Sequence, residues 1–176
     1  MAKKLVLALF IFIIPLISPK LTFASEIAGA SGVLKTEAKV ADTRVLRLEG
    51  YLKSQGSPLA PYAQKFVEEA DKNQIDWRLL PAIAGIESSF GKKMIAGTHN
   101  AWGWGGEKIR FASWNEAIET ISKALAEKYY ARGLNTPEKI NPVYCPPNRT
   151  WAPKVRAFMN KIESFEDANT QMALTL

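Results

Sequence analysis

Apolar residues recur three or four positions apart along most of the chain after residue 41, which is the spacing of amphipathic helices. Each run follows a residue that can cap a helix N-terminus. The predicted caps are Asp42, Ser57, Asp76, Ser113, Thr136 and Thr150. Predicted helix ends lie near Asn73, near Phe90 and at Gly133. The chain is therefore predicted to be mainly α-helical.

Residues 91–106 break this pattern, because they contain five glycines, two tryptophans and no acidic residue. Apolar and polar positions alternate over 101–104 and over 108–111, and Gly105 and Gly106 lie between the two runs. This arrangement is typical of a β-hairpin with a tight turn. The predicted fold is mainly α with one small β-hairpin.

The N-terminus has the pattern of an export signal. Lys3 and Lys4 precede an apolar run over 5–18, and Ala24 offers a small residue for cleavage. The run is shorter than the ~20 residues that span a bilayer. We predict a signal peptide over 1–24, with an uncleaved anchor as the alternative, and a secreted or envelope location in either case.

The remaining boundaries follow from composition. Residues 25–41 are rich in Ala, Gly, Ser and Lys and are predicted to form a flexible linker. The domain is predicted to cover 42–165, and 166–176 is predicted to be a C-terminal tail.

Charge and composition exclude several classes of protein. The net charge of +6 falls to +3 without residues 1–24, which is too mild for a nucleic-acid-binding face. A lone Cys145 and a lone His99 exclude a disulfide framework and a histidine-rich metal cluster. We expect no metal, no cofactor, no nucleic acid, membrane contact through the N-terminus alone, and a monomer.

Glu87 is the strongest candidate for chemistry. It is the only carboxylate between Asp76 and Glu107, and its helical neighbours Ile83, Ala84 and Phe90 are apolar. Such a setting predicts a desolvated carboxyl group that favours its protonated form. A carboxylic acid that donates a proton is what the cleavage of an acetal needs. A glutamate that points to solvent past Gly91 is the alternative.

The loop after Glu87 suggests a sugar as the ligand. Trp102 and Trp104 offer flat faces for the CH face of a sugar ring, and Asn100 offers an amide for its hydroxyl and acetamido groups. Both tryptophans can equally belong to the core.

These segments together resemble a known family. Residues 79–91 resemble the catalytic helix of the lysozyme-like superfamily, in which the helix ends in Glu-Ser followed by an aromatic residue. Residues 100–105 resemble the Asn-aromatic-Gly strand of its glucosaminidase group, which is glycoside hydrolase family 73, the mannosyl-glycoprotein endo-β-N-acetylglucosaminidase-like domain. Residues 111–138 and Tyr144 continue the likeness, which spans about 58–163. Lytic transglycosylases are relatives of this group.

The resemblance implies a lysozyme-like domain that cleaves the β-1,4 bonds of peptidoglycan glycan strands. It implies that Glu87 is the acid and that Ser88 helps to position the sugar. It also implies that Asn100 and Trp102 line the groove, and that Tyr144 leans over the carboxylate.

A second carboxylate would decide the mechanism, because most glycosidases pair two. Glu107 is the nearest candidate, and a solvated turn is an equally good interpretation of its position. Glu116 is predicted to complete a capping box, and Glu119 and Glu127 fall on the polar side of their helix. Without a partner, the substrate's acetamido group can assist, or one acid can act twice and leave a 1,6-anhydro end, as lytic transglycosylases do.

Two other classes stay open. A cysteine peptidase would need Cys145 and His99 to pair, and Cys145 precedes two prolines rather than opening a helix. A peptidoglycan-binding or envelope-assembly module would keep the fold without turnover.

Overall fold

The computed structural model describes residues 42–106, 108–146, 148–166 and 171. They contain six α-helices, two 3-10 helices and no strand, so the prediction of a mainly α fold is confirmed. The described residues belong to one compact unit, Ala38–Leu176. The predicted signal peptide and linker lie outside the described residues, as does all of the predicted tail except 166 and 171.

The first two helices form an antiparallel pair joined by a proline-containing turn. Helix α1 covers Thr43–Ser54, and the Asp42 side chain caps it by accepting a hydrogen bond from the backbone N–H of Arg44. Helix α2 covers Ala63–Asn73 and begins later than predicted, after a 3-10 turn. Pro61 explains the delay, because it has no N–H for the bond that a helix opened at Ser57 would require there.

Helix α3, Leu79–Ser88, is the centre of the domain. Residues 79–85 are all buried, and the helix packs against α4 and α6. It ends two residues earlier than predicted, because Ser89 and Phe90 adopt left-handed backbone angles (φ 52° and 60°). Such angles are costly in residues other than glycine and cluster at functional sites.

The chain reverses after α3, so that the Phe90 ring packs back against α3 at Gly85. A Cβ atom at Gly85 would lie 2.7 Å from two ring carbons of Phe90, so this position has room only for glycine. The backbone N–H of Phe90 donates to the carbonyl of Ala84 (2.9 Å), which satisfies a carbonyl at the helix end. The last residues of α3 are thereby held at the edge of the loop that follows.

Three helices complete the domain. Helix α4 covers Trp114–Lys128 and ends before the predicted Gly133, helix α5 covers Pro137–Tyr144, and helix α6 covers Trp151–Glu163. The predicted caps Ser113 and Thr136 accept hydrogen bonds from the helix backbone. Thr150 makes no such bond, and its hydroxyl bonds the Asn148 side chain instead.

The predicted β-hairpin is not formed by the described residues. Ala101, Trp102, Trp104 and the two glycines that follow lie in turns, and 109–111 are irregular. One backbone bond still closes the loop, from the N–H of Phe111 to the carbonyl of Thr98 (2.9 Å). Positive φ angles at Gly103, Gly105 and Gly106 favour successive turns over an extended strand.

No helix in the described part of the chain is long and apolar enough to cross a membrane.

Candidate active site

An open groove with a volume of about 820 Å³ lies where the last residues of α3, α4 and α5 meet the loop over 102–109. Its size falls in the range of pockets for small organic ligands. Its described lining residues are Glu87, Trp102, Gly103, Trp104, Gly105, Gly106, Ile109, Lys128, Tyr129, Tyr144 and Cys145. The structure therefore brings Glu87, Trp104 and Tyr144 together, although they are far apart in sequence.

A smaller cleft of about 60 Å³ adjoins this groove at Glu87 and Gly103, which line both. Its other lining residues are Ser88, Lys93, Met94, Ile95, Thr98 and Asn100. Glu87 thus lies where the two recesses meet.

The Glu87 carboxylate is held by a residue that sequence reasoning missed. The indole N–H of Trp151 donates to Glu87 Oε1 at 2.9 Å, and the Trp151 side chain is only 1% exposed. A hydrogen bond from a fully packed ring fixes the direction of the carboxylate. The two residues are 64 positions apart, and nothing in the local pattern around Trp151 pointed to Glu87.

The expectation that Glu87 is desolvated is wrong, because its side chain is exposed in the groove. The neighbours that suggested burial, Ile83, Ala84 and Phe90, are indeed buried. Helix α3 is apolar on every side, so the character of its neighbours does not report which way Glu87 points.

Ser88 holds the loop in place. Its hydroxyl is buried and donates to the carbonyl of Ala101 (2.7 Å) while accepting from the backbone N–H of Gly91 (2.9 Å). These bonds tie the end of α3 to the turn at 101–102. Ser88 also lines the smaller cleft, and its predicted contact with a sugar stays a prediction.

Asn100 is used in the same way. It is 6% exposed, its Oδ1 accepts from the N–H of Trp104 (2.9 Å), and its Nδ2 donates to the carbonyls of Trp104 (2.9 Å) and Ile109 (3.1 Å). Both amide hydrogens are therefore committed to the loop backbone. The Asn100 amide thus joins the two sides of this loop, as backbone hydrogen bonds would join the two strands of a hairpin.

The two tryptophans have different environments. Trp102 is 1% exposed, and its indole N–H donates to the carbonyl of Leu80 (2.9 Å), so its ring belongs to the core and cannot offer a face to a sugar. Trp104 is half-buried and lines the groove, with Lys128 Nζ 5.8 Å from its ring centroid. Of the two, only Trp104 can provide the predicted aromatic surface.

Tyr144 stands beside the carboxylate. Its hydroxyl donates to the carbonyl of Trp102 (3.1 Å), and its ring centroid lies 5.0 Å from that of Trp151, the ring that holds Glu87. Burial, together with the negative charge of Glu87, raises the pKa of Tyr144 well above its usual value. The phenol therefore stays neutral and acts as a fixed dipole.

Glu107 lies outside the described residues. Among the described residues that line the two cavities, Glu87 alone carries a carboxylate. Glu116 accepts from the backbone N–H of Ala112, next to the helix start, and Glu119 pairs with Lys65 and Lys72.

The described residues contain no group of three His, Cys, Asp or Glu side chains that could hold a metal ion. Cys145 lines the groove, whereas His99 Nδ1 lies 3.0 Å from the carbonyl of Phe111 and its ring packs on Trp114. His99 lines neither cavity, so the pairing that a cysteine peptidase requires is not formed.

No protein-family model matches the chain, and no curated protein matches it.

Proposed function

We propose that this protein cleaves the β-1,4-glycosidic bonds of peptidoglycan glycan strands, with Glu87 as the general acid. One observation carries the proposal: Glu87, the one carboxylate among the described residues that line the two recesses, is oriented by a buried indole beside an aromatic surface. The resemblance of residues 58–163 to the glucosaminidase group supports the same chemistry. Export through residues 1–24 would place the protein where peptidoglycan is found.

The chemistry requires a proton on the departing sugar oxygen as the bond breaks. Glu87 is exposed in the free protein, so the desolvation that favours a protonated carboxyl comes from the ligand. A strand lying across both recesses covers the carboxylate and displaces the water around it. Trp151 keeps Glu87 aimed during this step.

Tyr144 contributes through its oxygen. Its hydroxyl hydrogen is donated to the Trp102 carbonyl, which leaves the lone pairs of the oxygen free. These lone pairs can stabilise the positive charge that develops on the sugar ring in the transition state. Since the pKa of Tyr144 is raised, this support persists across the neutral pH range.

The second half of the reaction has two routes that the described lining supports. With Glu87 as the one carboxylate there, either the acetamido group of the substrate assists, or Glu87 acts twice and leaves a 1,6-anhydro end. The second route makes a lytic transglycosylase the second candidate function. A pair with Glu107 is the third route, and it predicts that Glu107→Gln also lowers the rate of cleavage.

The experiment is mass spectrometry of borohydride-reduced fragments released from purified peptidoglycan. The wild type should release soluble fragments, and Glu87→Gln should lower the rate by about 10²–10⁴-fold, the usual contribution of a general acid. Glu127→Gln is the matched control, because Glu127 is exposed on α4 and lines neither cavity. Thermal melts of both variants establish that they fold.

The fragment ends identify the reaction. A reduced glucosamine end indicates a glucosaminidase, a reduced muramic acid end a muramidase, and an anhydro end a transglycosylase. Equal activity of Glu87→Gln and the wild type would refute the assignment of the site. Binding of peptidoglycan without release of fragments would favour the binding module.

A further inference from the structure

Several basic side chains outside the groove lie against acidic ones. The pairs include Arg44 with Asp42 and Asp71, Lys65 and Lys72 with Glu69 and Glu119, Arg78 with Asp76 and Glu163, and Arg156 with Glu138.

These outer pairs are strong enough to outweigh burial. Burial alone would raise the pKa of Glu69, but the hydrogen bonds and charges of Lys65 and Lys72 hold it below its usual value. Burial opposes the ionisation of Asp76 as well, and Arg78 again lowers the pKa. The cations there serve the stability of the fold.

One lysine lines the groove and another lines the cleft beside it. Lys128, the last residue of α4, lines the large groove, and Lys93 lines the smaller cleft. Neither ammonium group forms an ion pair with a described residue. The contact of Lys128 with the Trp104 ring is a weak one at an exposed site, so its charge is available to a ligand.

One of these lysines lines each recess, and Glu87 lines both. Two cations that pair with no described acidic residue add positive potential to this recessed surface, which concentrates anionic ligands. An uncharged glycan would gain nothing from that potential. A glycan with carboxylates on its sugars would gain from it at both recesses.

On the basis of the proposed function, we propose that the groove selects glycan strands that carry carboxylates. Lys128, beside the Trp104 ring, receives the carboxylate of a sugar on one side of Glu87, and Lys93 receives one on the other side. N-acetylmuramic acid supplies this carboxylate through its lactyl group or through the peptide stem attached to it. Neutral chitin-type strands lack it.

Binding is measured with Glu87→Gln protein, so that cleavage does not interfere, by titration calorimetry against four probes. The probes are peptidoglycan strands that keep their peptide stems, amidase-stripped strands with free lactyl carboxylates, the stripped strands with those carboxylates converted to primary amides, and chitin oligosaccharides. The first two probes distinguish the two sources of the carboxylate. Amidation removes the charge and keeps the sugar.

The native stripped strands should bind more tightly than the amidated ones, and the difference should shrink as salt rises. Added separately to the Glu87→Gln protein, Lys128→Gln and Lys93→Gln should each weaken binding of the anionic strands about two- to fivefold, the range of an exposed ion pair, and leave chitin binding unchanged. Lys123→Gln is the control, because it removes a charge from the same helix outside both cavities. If the stem-bearing strands alone show the preference, the carboxylate is that of the stem.

Equal binding of the stem-bearing, native stripped and amidated strands would overturn the inference, and so would equal losses in the Lys128 and Lys123 variants or no binding of any strand. Cleavage by the wild type is scored separately on native and amidated strands. Cleavage without charge preference removes the inference and keeps the proposed function. Charge-dependent binding without cleavage removes the proposed function and keeps the inference.

Discussion

Two layers of the groove and the adjoining cleft carry similar residues and use them in opposite ways. The floor, Ser88, Asn100 and Trp102, is buried, and its polar atoms are hydrogen-bonded to the protein backbone. The rim, Glu87, Trp104 and Lys128, faces the groove. Side chains whose polar atoms are already hydrogen-bonded to the protein determine the shape of a site. Side chains that face the groove with polar atoms still able to form hydrogen bonds are the ones that can bind a ligand.

The contrast is clearest between neighbours in sequence. Glu87 and Ser88 are adjacent, yet the carboxylate is exposed and the hydroxyl is buried. Trp102 and Trp104 are two residues apart, yet one ring is in the core and the other is half-exposed. Chemical type alone does not assign a residue to either layer.

The largest effect should come from exchanging the two tryptophans for alanine in turn. Trp102→Ala should lower the free energy of unfolding by about 3–5 kcal/mol, because it leaves a cavity among Phe66, Trp114 and the α3 backbone. Trp104→Ala should cost about 1 kcal/mol, since its ring is only half-buried. Urea unfolding followed by circular dichroism measures both.

Glycan binding should distinguish the two tryptophan variants in the opposite order to stability. Trp104→Ala should weaken binding while the protein stays folded, because it removes the aromatic surface of the groove. Equal losses of stability in the two variants would abolish the distinction between floor and rim.

Asn100→Ala should have the next largest effect. It leaves the N–H of Trp104 and the carbonyls of Trp104 and Ile109 without their side-chain partner, which should cost about 1–3 kcal/mol of folding stability. Thermal unfolding measures the loss. Asn100→Asp is the informative comparison, because it keeps the shape and the acceptor but replaces the donor by an oxygen facing two carbonyls.

If Asn100 contacted the ligand instead, Asn100→Ala would lower affinity at unchanged melting temperature. A variant that melts like the wild type therefore contradicts its role in the floor.

The helices were largely predictable, because periodic burial and capping are local. The apolar stripe of α4, from Trp114 to Leu125, is buried as its spacing requires, and Asp42, Ser113 and Thr136 cap as predicted. The errors concern helix ends, where prolines and left-handed residues shift the boundary by a few positions. Pro61 and Phe90 are two examples; α4 also ends before the predicted Gly133, and Thr150 does not cap α6.

The sequence predicted which residues come together better than it predicted their separate roles. Glu87, Trp102, Trp104 and Tyr144 do line one groove, and that this groove is the functional site stays a prediction. Which hydroxyl, amide or ring faces that groove depends on contacts made across the fold. The bond from Trp151 to Glu87 crosses 64 residues, and no local pattern encodes it.

The smallest effect should be seen at Tyr144, which links the floor to the rim. Its hydroxyl bond to Trp102 should contribute about 1 kcal/mol, so Tyr144→Phe should lower stability by that amount at neutral pH. The melting temperature at neutral pH measures it.

The pH dependence tests the same residue more specifically. The pKa of Tyr144 is raised in the folded state, chiefly by burial and further by the charge of Glu87, so the folded protein keeps a proton that the unfolded chain releases above pH ~10. Its stabilising contribution is therefore complete below that pH and is lost as the pH rises beyond it. Burial also raises the pKa of Tyr51, Tyr129 and Tyr130, so the wild type should lose stability progressively in alkali. Tyr144→Phe should lose less per pH unit, because one of these protons is absent. Melting temperatures are measured for both proteins between pH 8 and pH ~11. An equal fall per pH unit in the two proteins would show that Tyr144 is not held neutral beside Glu87.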